Sequence, residues 1–120
     1  MTLSVHPYRR NSKGDIEWLS VPSDFSDMAG TENTRWSFWS SSTLKQLGLS
    51  LVTTLGQCDI YAEDQDLLTL KQEIERLMTA MSSLCEVNPE IDPDYWRFRL
   101  SNVLAAVQVA QACQGGVYIG

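Results

Sequence analysis

The chain has 120 residues, of which 43% are hydrophobic and 20% are charged, and its formal net charge is −6. This length fits one domain with a single hydrophobic core, and the composition argues against intrinsic disorder. The excess of acidic residues argues against binding to nucleic acids or anionic membranes, because both surfaces need clustered Lys and Arg.

The cysteines and the N-terminus bear on the cellular compartment. The three cysteines are an odd number without CxxC spacing, which predicts reduced, buried thiols at Cys58, Cys85 and Cys113. The opening residues MTLSVHPYRR do not resemble a signal segment, and no apolar run approaches membrane-spanning length. We therefore expect a soluble cytoplasmic protein.

The first third of the chain carries signals of β-structure. Partial alternation of apolar residues predicts a strand over 3–10, and NSKG predicts a turn at 11–14. A second alternating run over 16–20 completes a predicted β-hairpin. Residues 23–33 are polar and rich in turn formers, which predicts a surface loop, and the aromatic run over 34–40 predicts a third strand.

The next segment shows helical periodicity that weakens in the middle. Leucines at helical steps predict a helix over 43–55, although Gly48 weakens it by about 1 kcal/mol relative to alanine. Residues 57–63 are predicted to link this helix to the next one, which Ile60 and Tyr61 could extend at its start.

The longest amphipathic pattern in the chain lies at 64–85. Its apolar residues recur at steps of three and four, which places them on one face of a helix: Leu67, Leu70, Ile74, Leu77, Met81 and Leu84. This stripe is predicted to belong to the core.

The last helix has the clearest start signal. Asp92 is predicted to be the N-cap and Pro93 the first helical residue. The apolar face that follows includes several alanines that would allow close approach of another helix. Two glycines at 115 and 116 end the helix, and residues 117–119 can form a final strand. The predicted fold is a single α+β domain over 1–120, with a small, mainly antiparallel sheet (the N-terminal hairpin plus short strands) packed against three helices.

The acidic residues concentrate in one part of the chain. Between 59 and 94 there are ten carboxylates against Lys71 and Arg76, a net charge of −8. Eight of the ten form two groups at opposite ends of the 64–85 helix, about 30 Å apart at 1.5 Å per residue. The first acidic group comprises Asp59, Glu63, Asp64 and Asp66, and the second comprises Glu86, Glu90, Asp92 and Asp94. The first group is interpreted either as a solvated, helix-capping cluster or as a partner-binding patch, and the second group as a second acidic surface for a partner.

No catalytic, metal or cofactor motif is recognisable. His6 is the only histidine, and the acidic residues lack the glycine and spacing of a calcium-binding loop. We expect a non-enzymatic protein without metal or cofactor; an acid–base enzyme would need two carboxylates in one cleft. Trp36, Trp39 and Tyr61 are candidate aromatic anchors for a partner. Arg97 and Arg99 are expected to form ion pairs with the acidic loop 86–94.

Three segments together resemble small bacterial immunity proteins, which accompany toxins of polymorphic, contact-dependent systems. The segments are RWSFWSSSTLKQLG, LGQCDIYAEDQDLLTLKQEIERL and FRLSNVLAAVQVAQACQGGVYIG, within residues 35–120. The positions that carry the resemblance are Trp39 with Ser40, residues 59–66, Leu70 with Glu73, and Arg99 with Asn102.

The resemblance implies a cytoplasmic inhibitor that binds one cognate toxin and blocks its active site. An acidic patch could occupy the basic cleft of a nuclease toxin as a phosphate mimic. The alternative function is a structural or assembly subunit. It would self-associate, as a homodimer or larger complex, through the face of the last helix formed by Val103, Val107 and Ala110.

Overall fold

The computed structural model describes residues 2–120 and contains a five-stranded antiparallel sheet. The strands are β1 (Thr2–Arg10), β2 (Ile16–Trp18), β3 (Met28–Thr31), β4 (Ile60–Glu63) and β5 (Gly116–Ile119). The order across the sheet is β2-β1-β5-β4, and β3 pairs with the N-terminal part of β1. The last strand therefore lies in the centre, between β1 and β4.

Three α-helices accompany the sheet. They are α1 (Ser42–Gln46), α2 (Gln65–Val87) and α3 (Pro93–Ala112). A π-helix (Arg35–Trp39) and a 3₁₀ helix (Val52–Gly56) flank α1. The predicted α+β class, with an antiparallel sheet and three helices, is confirmed.

The sheet has two chemically different faces. Its inner face is aliphatic and fully or almost fully buried, since α3 packs on β1 and β5 while α2 packs on β4. The residues of that face are Leu3, Val5, Ile60, Ala62, Val117 and Ile119. Because side chains alternate along each strand, the residues between these point to the opposite side of the sheet. They include His6, Tyr8, Tyr61 and Tyr118, which pair across the strands.

The two long helices form as the periodicity predicts. The six stripe residues of α2 are buried, and α2 packs along α3. Asp92 caps α3, since its Oδ1 accepts hydrogen bonds from the N–H groups of Asp94 at 3.0 Å and Tyr95 at 3.4 Å. Pro93 is the first residue of α3, as predicted. Of the helices in residues 2–120, none is both long and apolar enough to cross a membrane.

The predicted strand over 34–40 is wrong, because these residues form the π-helix. Its buried residues are Arg35, Phe38 and Trp39, which lie three and four positions apart rather than two. The N–H of Ser40 donates to the carbonyl of Arg35 at 2.9 Å, closing the wide turn. Tertiary burial on a helical face therefore overrides the β-propensity of the aromatic residues.

The predicted surface loop over 23–33 contains β3. Asn102, fully buried on α3, holds this segment against the helix. Its Nδ2 donates to the carbonyl of Met28 at 3.0 Å, and its Oδ1 accepts from the N–H of Ser26 at 3.1 Å. Pairing with β1 then satisfies the backbone of a segment whose composition is that of a loop.

The predicted helix over 43–55 is broken, because Gly48 adopts a φ of +80°. The chain resumes as the 3₁₀ helix, whose start is capped from a distance by buried Glu73. The Glu73 carboxylate accepts hydrogen bonds from the N–H groups of Leu51 at 3.1 Å and Val52 at 2.9 Å. Ile60 and Tyr61 do not extend α2; they belong to β4.

Candidate functional site: an aromatic face of the sheet

The outer side of the sheet carries a continuous aromatic cluster, here called the outer face: His6, Tyr8, Trp18, Tyr61 and Tyr118. Trp18 lies edge-on to Tyr8 and Tyr118, with ring centroids 5.8 Å and 5.6 Å apart. Tyr61 lies 4.8 Å from Tyr118. Such edge-to-face contacts fix ring orientation and contribute about 0.5–1.5 kcal/mol each.

The outer face is open to solvent although its rings touch one another. Trp18 is 56% exposed and Tyr61 is 52% exposed, while Tyr8 beneath them is fully buried. In the described chain, no helix covers this side, because α2 and α3 pack on the other side of the sheet. Large exposed aromatic side chains that are held in place are typical of protein interfaces.

Glu63, a member of the first acidic group, lies at one edge of the outer face. Arg10 donates to both of its oxygens, at 3.0 Å and 2.9 Å, and the hydroxyl of Tyr8 donates at 2.8 Å. The hydrogen bonds from Arg10 lower the pKa of Glu63. Burial, together with the hydrogen bond to this carboxylate, raises the pKa of Tyr8 far above its ordinary value.

Asp59 directly precedes β4, so it lies at the opposite end of that strand from Glu63. Its carboxylate accepts hydrogen bonds from Arg35 and, at 2.9 Å, from the hydroxyl of Tyr118. The bond from Arg35 lowers the pKa of Asp59, while burial and the bond to Asp59 raise the pKa of Tyr118. Arg35 is itself buried and also pairs with Glu32.

The first acidic group is thus divided. Asp59 and Glu63 are paired within the fold, whereas Asp64 and Asp66 are exposed and form no ion pair within residues 2–120. Asp64 has a φ of +52° at the start of α2, and its side chain makes no capping hydrogen bond. Asp64 is therefore the N-cap residue of α2 by position, but its side chain does not cap the helix by a hydrogen bond.

The second acidic group lies at the other end of α2 and does not join the outer face. Glu86, Glu90 and Asp94 are exposed, and Asp92 is committed to capping α3. Glu90 and Asp92 line the same cavity, and of these two carboxylates Asp92 already accepts backbone hydrogen bonds at the start of α3.

The predicted aromatic anchors separate in the structure. Tyr61 lies on the outer face, and Trp36 is 57% exposed, with its Nε1 donating to the carbonyl of Gly56 at 3.1 Å. Trp39 is wrong as an anchor, because it is fully buried and its Nε1 donates to the carbonyl of Ala29 at 3.2 Å.

Three further expectations are corrected. In the described part of the chain, Arg97 and Arg99 form no ion pair with the acidic loop: Arg97 donates to the hydroxyl of Ser82, and Arg99 stacks over the ring of Tyr95. Cys58 is exposed rather than buried. The proposed self-association face is the interior of this chain, since its residues Val103, Val107 and Ala110 are fully buried.

Sequence patterns alone miss most of the outer face. They do not single out Trp18 or Tyr118 as binding residues, and they do not identify Arg10 and Arg35 as partners of acidic residues. Alternation along each strand could have placed Tyr61 and Tyr118 on one side. Their convergence with Trp18 depends on the strand order, which local sequence does not encode.

The positions behind the resemblance to immunity proteins have structural roles here. Leu70 is in the core, Glu73 caps the 3₁₀ helix, and Asn102 holds β3. No protein-family model, curated protein or solved structure matches this chain.

Proposed function

We propose that this chain is a non-enzymatic binding protein whose outer face docks a basic protein partner. The observation that carries the proposal is the exposed pair Trp18 and Tyr61, supported by buried Tyr8 and flanked by carboxylates. Tryptophan and tyrosine supply a large share of binding energy in protein interfaces, mainly where their rings are already ordered.

Charge around the outer face favours a basic partner. Arg10 is balanced by Glu63, and Arg35 faces two carboxylates, Asp59 and Glu32. Exposed Asp64 and Asp66 add negative charge directly after β4. A rim of this kind accelerates association with a positively charged surface and disfavours acidic competitors.

Within this proposal, the partner is a cognate toxin, such as a basic nuclease, and the chain is its immunity protein. The resemblance of residues 35–120 to immunity proteins and the net charge of −6 support this choice. The inhibitor needs no catalytic group, because covering the toxin's active site is sufficient.

The test begins with the partner. A tagged copy of the chain is purified from its native cells at low salt, and the retained protein is identified and expressed alone. We expect a basic protein that arrests growth unless this chain is coexpressed. A retained protein that is harmless when expressed alone would contradict the immunity function.

The binding surface is tested separately with the purified pair. Trp18→Ala and Tyr61→Ala should each raise Kd about tenfold or more, as truncation of interface anchors does. The matched control is Leu68→Ala on α2, a side chain that is 43% exposed but lies off the sheet. Equal affinity of all three variants would contradict docking on the outer face.

A double variant tests the contribution of Asp64 and Asp66, the acidic residues beside the outer face that are unpaired within residues 2–120. Asp64→Lys together with Asp66→Lys leaves the Arg10–Glu63 and Arg35–Asp59 pairs intact. This variant should slow association and reduce its dependence on salt, with little change in the dissociation rate. An unchanged association rate at low salt would remove these two residues from the interface.

A further inference from the structure

A second site, distinct from the outer face, lies where the π-helix meets the loop between α2 and α3. It is a cavity of about 380 Å³ that opens to solvent. Phe38 and Trp96 form its apolar floor, stacked with their ring centroids 3.6 Å apart and their planes 9° apart. Both rings are more than nine-tenths buried, so they close the inner end of the cavity and expose little surface to it.

The walls of the cavity carry hydrogen-bonding groups that the fold leaves unused. Ser37, Thr43, Asn88, Glu90 and Tyr95 all line it. Within residues 2–120, none of these five side chains makes a hydrogen bond or ion pair through its polar atoms. In contrast, the hydroxyl of Ser41, which also lines the cavity, is occupied by the carbonyl of Phe38. The unused groups supply oxygen acceptors from five side chains on several sides of one space.

The electrostatics of the cavity favour a cation. None of its lining residues is Lys, Arg or His, whereas Glu90 and Asp92 contribute carboxylates. Helix dipoles do not decide the sign, because Asn88 is the C-cap of α2 whereas Ser41 and Asp92, which also line the cavity, are the N-caps of α1 and α3. The cavity therefore owes its negative charge to its carboxylates and combines that charge with acceptors that have no donor in the described chain.

We infer that this cavity binds a guanidinium group. A guanidinium is permanently charged and carries five N–H donors in one plane, which matches oxygen acceptors that line several sides of one cavity. Glu90 is the main anionic contact, because Asp92 already accepts two backbone hydrogen bonds at the start of α3. A metal ion is disfavoured, since no three His, Cys, Asp or Glu side chains of the described chain are grouped to hold one.

The source of the guanidinium is either a small molecule or an arginine side chain of a protein. The two share their chemistry and differ in the molecule to which the guanidinium is attached. Agmatine represents the free cation, and the peptide acetyl-Gly-Arg-Gly-amide represents the side chain. Tighter binding of agmatine assigns the site to a small cation, and equal or tighter binding of the peptide assigns it to a partner's arginine.

The test is an NMR titration of the ¹⁵N-labelled full chain with each probe. We expect saturable shifts of the amides of Ser37, Asn88 and Glu90. Loss of a charge-assisted hydrogen bond in Glu90→Gln should weaken binding about tenfold. Glu86→Gln removes the same charge from the same end of α2 but lies outside the cavity lining, so it should leave affinity nearly unchanged.

A ligand control isolates the charge. The acetyl-Gly-citrulline-Gly-amide peptide keeps the shape of the side chain and replaces the guanidinium by a neutral urea. Equal binding of the citrulline and arginine peptides would overturn the inference, as would equal affinity of Glu90→Gln and the unaltered chain. Absence of saturable shifts with both cationic probes, or the same shifts produced by calcium chloride at lower concentration, would also overturn it.

Discussion

The two ends of α2 carry similar numbers of carboxylates and use them differently. Before its start, Asp59 and Glu63 are each held by an arginine and a tyrosine hydroxyl. At its other end, Glu86 in the last turn and Glu90 in the following loop have no cationic partner within residues 2–120. A count of charges treats these four carboxylates as equivalent, whereas pairing makes Asp59 and Glu63 part of the fold and leaves Glu86 and Glu90 without a partner in the described chain.

Arg35→Met should cause the largest loss in the free energy of unfolding, because Arg35 holds one of the paired carboxylates before α2. The Arg35 guanidinium bonds the carboxylates of Glu32 and Asp59 and the carbonyl of Leu55 at 3.0 Å, and the residue is only 9% exposed. Its removal leaves the buried carbonyl of Leu55 without a donor, while the two carboxylates can be hydrated, so the free energy of unfolding should fall by about 2 kcal/mol in urea denaturation. Arg97→Met, which removes an exposed guanidinium, should cost less than about 0.5 kcal/mol.

Tyr8→Phe should cause a smaller loss in the free energy of unfolding. This change removes the hydroxyl that donates to Glu63 at 2.8 Å and should lower the free energy of unfolding by about 1.5 kcal/mol, as for a hydrogen bond to a charged group. Tyr95→Phe is the matched control, because that hydroxyl has no hydrogen-bond partner in the described chain. Equal losses in both variants would contradict the assigned role of the Tyr8–Glu63 bond.

The pairs at the start of α2 should also make stability depend on pH. Asp59 and Glu63 have pKa values lowered below 3.8 and 4.5. Their stabilisation is therefore present above about pH 4.5 and is lost as pH falls through the lower, folded-state values. The pKa of Tyr8 is raised from 10.0, so its contribution is present below pH 10 and is lost at higher pH.

Urea denaturation across this range checks both limbs of the pH profile. Glu63→Gln should flatten the acidic limb, and Tyr8→Phe should flatten the alkaline one. Glu86→Gln, at the other end of α2, should leave both limbs unchanged. A profile that Glu86→Gln alters as much as Glu63→Gln would contradict the distinction between the two ends.

The smallest change in the free energy of unfolding is expected at the end of α2, and there the substitution should stabilise the fold. Glu86 lies near the negative end of the helix dipole, and the last turn has no basic residue. Glu86→Lys should therefore raise the free energy of unfolding by about 0.3–1 kcal/mol at low ionic strength, less at high salt. A loss of stability would indicate a partner for Glu86 that the structure does not contain.

The sequence predicts the elements that depend on neighbouring residues alone. The apolar stripe of α2 and the Asp92–Pro93 start of α3 are properties of neighbouring residues, and the structure contains both. The π-helix at Arg35–Trp39 escapes prediction because its conformation depends on burial of Phe38 and Trp39 against other elements. Likewise, β3 forms on β1 while Asn102, far along the chain, holds it.

The candidate site is predictable only in part for the same reason. The acidic residues of 59–66 and the aromatic ring of Tyr61 are visible in the sequence. The arginines that neutralise Asp59 and Glu63 are 24 and 53 positions away, so nothing near the carboxylates reveals them. The aromatic cluster requires β5 to lie between β1 and β4, which is a property of the whole fold.

The measurement that tests the central claim most directly is the affinity of the identified partner for two double variants. Trp18→Ala with Tyr61→Ala removes the exposed anchors of the outer face, and Leu68→Ala with Phe98→Ala removes similarly exposed apolar groups of the helices. With both variants shown to be folded by thermal denaturation, the first should bind about 100-fold more weakly and the second about as the unaltered chain does. The reverse order of affinities would contradict docking on the outer face.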